Sequence, residues 1–258
     1  MEKLLVKTHL ENHVLHIVLN RADKINAFTY QMLKELSEAY TQLESDKEIR
    51  CGFLYSEGEH FTSGLDLADV SKHIQKGATL FESDNTDPLQ LFDKNRTKPV
   101  IMAVKGYCLT IGIEMILAND VCIAQDNTKF GQIEVKRGIF PFGGATIRFT
   151  QRCGWGNAMK YLLTGDEFDA QEALRIGLVQ EVTKDAKEDA QLLAEHIARQ
   201  APLAVQATLE SAKIAIISGE AAATKALMPT LGKLMKTEDA KEGLASFIER
   251  RAAEFRGC

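Results

Sequence analysis

Apolar positions along the chain follow two rhythms. Residues 13–20 (HVLHIVLN) are β-branched and alternate enough to predict a strand, which Arg21-Ala22-Asp23 breaks. From residue 29 to residue 43, Met32, Leu33, Leu36 and Tyr40 recur at helical spacing, with Thr29 placed as N-cap. Residues 51–56 (CGFLYS) predict a buried strand ended by Glu57-Gly58, and a helix is expected to begin near Leu65 or Asp66. The same order returns further on. Residues 99–104 form an apolar run, Gly106 turns the chain, residues 113–118 open a packed helix, and residues 121–124 make another strand. Successive strand-turn-helix units predict an α/β core.

The remainder reads as helical from Phe149 onward. A short helix over 169–175 stops before Gly177, and residues 178–182 form a short strand or extended link. Helices are expected over 186–201, stopped by Pro202, then over 204–218 and 240–255. The break at Lys184-Asp185 divides the chain into a core, 1–184, and a C-terminal helical region, 185–258. Residues 83–88 (SDNTDP) read as a polar, mobile loop, and the single Trp155 is expected to pack among helices.

Composition narrows the classes. A chain of 258 residues, 45% hydrophobic, can bury a full core. A formal charge of −5 offers no basic stripe for nucleic acid, and no apolar run approaches a membrane span of about 18 residues. Five cysteines without Cys-x-x-Cys argue against a disulfide framework or zinc ribbon, so the expectation is a cytoplasmic protein with reduced thiols. A mature organellar protein is the alternative. His9, His13 and His16 lie along or before a strand without metal spacing, and no metal site is expected. Cys108 has no evident histidine partner that would make it a nucleophile.

Glu114 and Glu134 stand out because each sits among residues that should be inside. A buried carboxylate is costly unless paired or used. The bland alternatives are that Glu114 caps a helix or pairs with a lysine, and that Glu134 pairs with Lys136 or Arg137. Paired carboxylates also suit glycosidases, but one tryptophan leaves little surface for stacking sugar.

Several blocks occur together in order: Leu19-Asn20-Arg21 with Asn26-Ala27-Phe28, then Phe61-Thr62-Ser63-Gly64-Leu65-Asp66-Leu67, then Lys98-Pro99-Val100 with Gly112-Ile113-Glu114. Phe130-Gly131, Glu134, Gly138 and Pro141 follow, then Leu163-Thr164-Gly165, and Phe247 with Arg250-Arg251 closes the set. This ordered set resembles the crotonase (enoyl-CoA hydratase/isomerase) superfamily over essentially the whole chain.

The resemblance implies the α/β crotonase-like fold, a coiled ββα superhelix with a C-terminal helical region. It implies an enoyl-CoA hydratase-type enzyme acting on an acyl-CoA thioester, with coenzyme A part of the substrate and no separate cofactor. The backbone N–H groups of Leu65 and Ile111 would hold the oxyanion, with Glu114 and Glu134 as acid and base. Lys24, Ile25, Asn26, Ser63, Gly64, Leu65, Asp66 and Leu67 would contact coenzyme A, with Gly112 and Phe142 also at the substrate. Asp66 has a second expected role as N-cap of the following helix. Lys72, Lys94, Lys233 and Lys236 are candidates for the phosphates. A homotrimer or dimer of trimers would form through the C-terminal helices. A 3,2-enoyl-CoA double-bond isomerase and a catalytically weak acyl-CoA-binding or RNA-binding relative are the alternatives.

Three departures bear on that expectation. Thr110-Ile111 replaces glycines, placing a β-branched residue where backbone must approach the thioester. Phe142 replaces a common glycine and could shorten the pocket or displace water. Leu65 replaces a common alanine.

Overall fold

A computed structural model describes residues 4–81, 84–92 and 94–258. The chain opens with the antiparallel pair β1 (Val6–Glu11) and β2 (Val14–Leu19), then α1 (Tyr30–Ser45), β3 (Cys51–Ser56) and α2 (Leu67–Ile74). Next come β4 (Val100–Val104), β5 (Tyr107–Leu109), α3 (Ile111–Ala118), β6 (Val121–Gln125) and β7 (Lys129–Gly131). The helices α4 (Ala145–Cys153) and α5 (Trp155–Thr164) follow, then β8 (Glu167–Asp169), α6 (Ala170–Arg175) and β9 (Glu181–Thr183). Four helices close the chain: α7 (Ala186–Ala198), α8 (Pro202–Ser218), α9 (Glu220–Leu234) and α10 (Glu238–Glu249).

Strands β1-β2-β3-β4-β6-β9 form one sheet in that order, parallel from β2 onward, and β5-β7-β8 form a smaller second sheet. The parallel strands β2, β3, β4 and β6 are buried on both faces, which is why they read as continuous apolar runs. Side chains alternate between the faces. Leu15, Ile17 and Leu19 enter the main core with Met32, Leu36 and Tyr40 of α1, whereas Val14, Val18, Phe53 and Ile101 face the back. Ala186, Ala190, Ala194 and Ala198 form a small-residue stripe that brings α7 against that back face. The division expected after residue 184 thus precedes a helix that closes the sheet.

Local chemistry explains where boundaries fall. The Thr29 hydroxyl accepts from the N–H of Met32 at 3.2 Å, capping α1 as expected. Pro202 begins α8 rather than ending α7, since proline is at home in a first helical turn. The last helix stops at Glu249 rather than running to Phe255. Arg250 turns left-handed, and the buried Asp239 carboxylate accepts from the N–H groups of Arg256 and Gly257, folding the tail back. Trp155 is exposed at the start of α5, against the expectation that it packs.

Of the loop expected over 83–88, Ser83 lies outside the described residues. Beyond it, the buried Asp87 gathers the N–H groups of Leu89, Leu91 and Phe92 at 2.7–3.1 Å, a built turn rather than a solvated loop. Buried Arg96 then pairs with Asp120 through two bonds of 2.7 and 3.0 Å and donates to the Ala118 carbonyl, tying this segment to the end of α3. Among the described residues, no helix is long and apolar enough to cross a membrane.

Candidate active site

Two strand-to-helix turns lie side by side. The first, Thr62–Leu65, leads into α2, and the second, Leu109–Ile111, opens α3. The N–H of Leu109 donates to the Thr62 carbonyl at 3.1 Å, and Thr62 and Cys108 form a parallel bridge. Gly64 is required here: its φ is +105°, and a Cβ would overlap the Thr110 hydroxyl. Among the described residues, neither the Leu65 N–H nor the Ile111 N–H has a protein acceptor. Both are therefore open donors, Ile111 at the first position of a helix where the macrodipole favours negative charge.

The β-branched side chain at position 111 is taken up by the interior. The Ile111 side chain is buried in the main core, and Leu65 packs against that core as well. The strain falls instead on Thr110, whose φ of 50° and ψ of −112° are unfavourable for a β-branched residue. Its N–H donates to the Gly131 carbonyl at 2.9 Å, which locks the turn to β7, and its buried hydroxyl has no partner.

Glu114 lies on α3, where all eight residues are buried. Its Oε1 accepts from the N–H of Gly143 at 2.7 Å and of Ala145 at 3.3 Å. It thus engages a helix start, that of α4 rather than its own. Gly143-Gly144, superficially similar to a phosphate loop in the sequence, serves to bring backbone donors up to this carboxylate. Glu134 begins a short 3-10 turn three residues after Gly131. Its Oε1 accepts from Gln132 Nε2 at 3.1 Å, and its buried Oε2 has no partner. Lys136 pairs with Asp166 instead of Glu134.

Burial pushes the Glu114 carboxyl up to about 7, and the neighbouring charge of Glu134 pushes in the same direction against the two backbone donors. Burial likewise raises Glu134 to about 7, partly offset by its own backbone N–H. Carboxyls raised in this way are suited to acid and base work near neutral pH. Burial raises the Cys108 thiol well above the usual range and holds it protonated.

The segments expected to hold coenzyme A divide into frame and surface. Asn26 is frame: fully buried, it donates to the carbonyls of Glu57 and His60 at 3.0 and 2.9 Å and accepts from the Arg21 N–H. Its carbonyl takes the Thr62 hydroxyl, so its side chain and its carbonyl are both spent on the frame. The Gly64 backbone is likewise engaged, through Thr62 and Phe28, and the Ser63 N–H is spent on Ile25. Gly112 packs against Thr62 and Cys108. Lys24, Ile25 and Leu67 present exposed side chains. Asp66 occupies the N-cap position of α2 without capping it, because its carboxylate pairs with Arg21 at 3.2 Å. Phe142, beside Gly143, is 36% exposed. Lys94 donates to the Asp84 carbonyl at 2.5 Å.

Sequence reasoning missed Gln132, Gly143 and Ala145 as partners of the two glutamates. Gln132 left one signal, an amide two residues from Glu134 in a buried stretch.

A sheet of this order, paired turns with open N–H groups and two buried glutamates define an α/β enzyme of the crotonase fold. The chain belongs to the enoyl-CoA hydratase/isomerase family, whose model matches residues 9–257. It is 34% identical to (E)-benzylidenesuccinyl-CoA hydratase of Thauera aromatica, over 98% of this chain and 99% of that one. It is 32% identical to the short-chain-enoyl-CoA hydratase of Clostridium acetobutylicum, over 95% and 94%. Among solved structures, a probable enoyl-CoA hydratase/isomerase from Mycobacterium abscessus is similar with a TM-score of 0.95 and 47% identity, covering 98% and 99%. An enoyl-CoA hydratase from Mycobacterium tuberculosis gives 0.89 and 31%, covering 99% and 100%.

Proposed function

We propose that this protein adds water reversibly across the double bond of a 2-enoyl-CoA thioester. The observation that carries the reading is the pair of open N–H groups, on Leu65 and Ile111, beside two buried carboxyls that titrate near neutrality. Attack of water at the β-carbon pushes charge onto the thioester oxygen, and two aimed donors stabilise that enolate. Glu114, fixed by two backbone N–H groups, is placed to take the proton from water. Glu134, with Oε2 free, delivers a proton to the α-carbon. The hydroxyl ends on the β-carbon, the proton on the α-carbon, and the pair returns to its shared-proton state.

Coenzyme A enters as part of the substrate and no further cofactor is needed for this chemistry. The exposed surfaces of Lys24, Ile25 and Leu67 are offered for its contacts. The free state of all five cysteines supports the cytoplasm as compartment.

The second reading, a 3,2-enoyl-CoA isomerase, is favoured by Glu134 alone, since one carboxyl with a free oxygen can carry a proton between two carbons. Turnover of crotonyl-CoA and of a 3-enoyl-CoA, followed by the conjugated thioester absorbance, separates the two. Loss with crotonyl-CoA that disappears in Glu114→Gln establishes hydration. Gain with the 3-enoyl substrate alone overturns it for the isomerase.

We further propose a homotrimer or dimer of trimers. The C-terminal helices carry apolar side chains in solvent, among them Ile217 at 81% and Phe247 at 82% exposure, and α8 buries none of its residues. Such a surface calls for a partner. A monomer by light scattering at micromolar concentration overturns this.

A further inference from the structure

The back of the sheet holds a cluster that the proposed chemistry does not use. His9 of β1 and His16 of β2 are directly opposed in the antiparallel register, and their rings stack at 4.2 Å between centroids. Glu11 lies two residues beyond His9 and so on the same face. One ligand atom from each of the three residues lies within 4.8 Å of the others, and Glu11 Oε2 is 3.9 Å from His16 Nε2. His13, the third histidine of this stretch, is set apart at the hairpin turn, where its ring meets the Glu48 carbonyl.

His16 makes this more than a chance grouping. It is 2% exposed, and neither of its ring nitrogens has a hydrogen-bond partner. An unsatisfied buried polar group costs about 1–3 kcal/mol, so a buried imidazole without partners needs a reason. Phe53 and Tyr55 wall it edge-on, and the polar groups around it are His9 and Glu11 with Lys187 and Glu195 of α7.

We propose that His9, Glu11 and His16 form a binding site for a divalent transition metal of the zinc type on the back of the sheet. Two imidazoles and one carboxylate suit zinc, with water in the remaining position. Ligand atoms about 2.0–2.1 Å from a tetrahedral metal stand roughly 3.3–3.5 Å apart. Converging on one metal turns the His9 ring out of its stack on His16, and the adjustment falls on His9 and Glu11, whose side chains are exposed. The metal would staple the edge strand β1 to β2 on the face opposite the catalytic core. The facing charges are Glu11 on β1, and Lys187 and Glu195 on α7; Lys187 Nζ lies 4.3 Å over the Tyr55 ring.

The test is calorimetric titration of chelator-treated protein with Zn2+ at pH 7.5, beside the double variant His9→Gln, Glu11→Gln. Both positions are exposed, so the variant keeps the fold, and its hydration rate should equal that of the parent. One saturable site with Kd below about 10 μM, weakened at least about tenfold in the variant, is expected. X-ray absorption should show imidazole nitrogen around the metal. Equal affinity in parent and variant, or no saturation up to about 1 mM, overturns the site.

Discussion

The N–H of Gly143 donates to Glu114 Oε1 at 2.7 Å, and a Cβ at position 143 would overlap the same carboxylate. The glycine therefore both holds Glu114 and leaves room for it. Gly143→Ala should lower kcat by at least about tenfold by displacing the carboxylate, since small misplacements at the reacting centre are costly. Circular dichroism should remain that of the parent. Undiminished kcat would show that this contact does not position the acid/base group.

Glu134→Gln removes one member of the proton-sharing pair and should lower turnover at least about 100-fold. In the parent, kcat/KM should be bell-shaped around pH 7 with apparent values belonging to the pair, and the variant should lose one limb. A variant with parental turnover would remove Glu134 from the mechanism.

The same substitution should have an opposite, pH-dependent effect on stability. A carboxyl raised from 4.5 to about 7 contributes fully to stability below its unfolded value, and that contribution is lost as pH rises through about 7. Glutamine does not ionise. Glu134→Gln should thus gain on the parent at pH 8 by up to about 3 kcal/mol, with the gain fading toward pH 4. Urea titrations at both pH values measure it.

Thr110→Gly should relieve the left-handed turn and remove an orphaned hydroxyl, at some cost in chain entropy. A net gain of about 1 kcal/mol is expected. Turnover should stay within about threefold, because the Ile111 N–H remains as donor. A lower melting temperature would mean that the hydroxyl has a structural role in the closed turn.

Asn26→Ala should leave the Glu57 and His60 carbonyls and the Arg21 N–H without their partner. Each orphaned group costs about 1–3 kcal/mol, so severe destabilisation is expected, seen as a fall in the denaturation midpoint. A variant as stable as the parent would show that Asn26 does not frame the turn.

How far the sequence reached depends on the kind of signal each element carries. Helix α1, with its cap and its stripe at Met32, Leu33, Leu36 and Tyr40, and the buried strands at 14–19, 51–56 and 100–104 were legible because burial writes itself as apolar periodicity. Strand β1 was not: one residue of VKTHLE is buried, so its sequence looks like loop. The three-residue strands β5, β7 and β8 are too short for a period, and α9 contains Pro229, which reads as a break. Glu114 and Glu134 were legible as charges in apolar surroundings. The frame role of Asn26, the strain at Thr110 and the meeting of His9 with His16 depend on chain segments or dihedrals that no local pattern records.

The donors proposed for the oxyanion belong to the main chain, and this separates the proposed catalysis from side-chain identity at positions 65 and 111. Leu65 and Ile111 spend their side chains on the core while their N–H groups stay open. Substitutions that repack the interior at these two positions can therefore accumulate without altering the donors themselves, provided that the two turns keep their path.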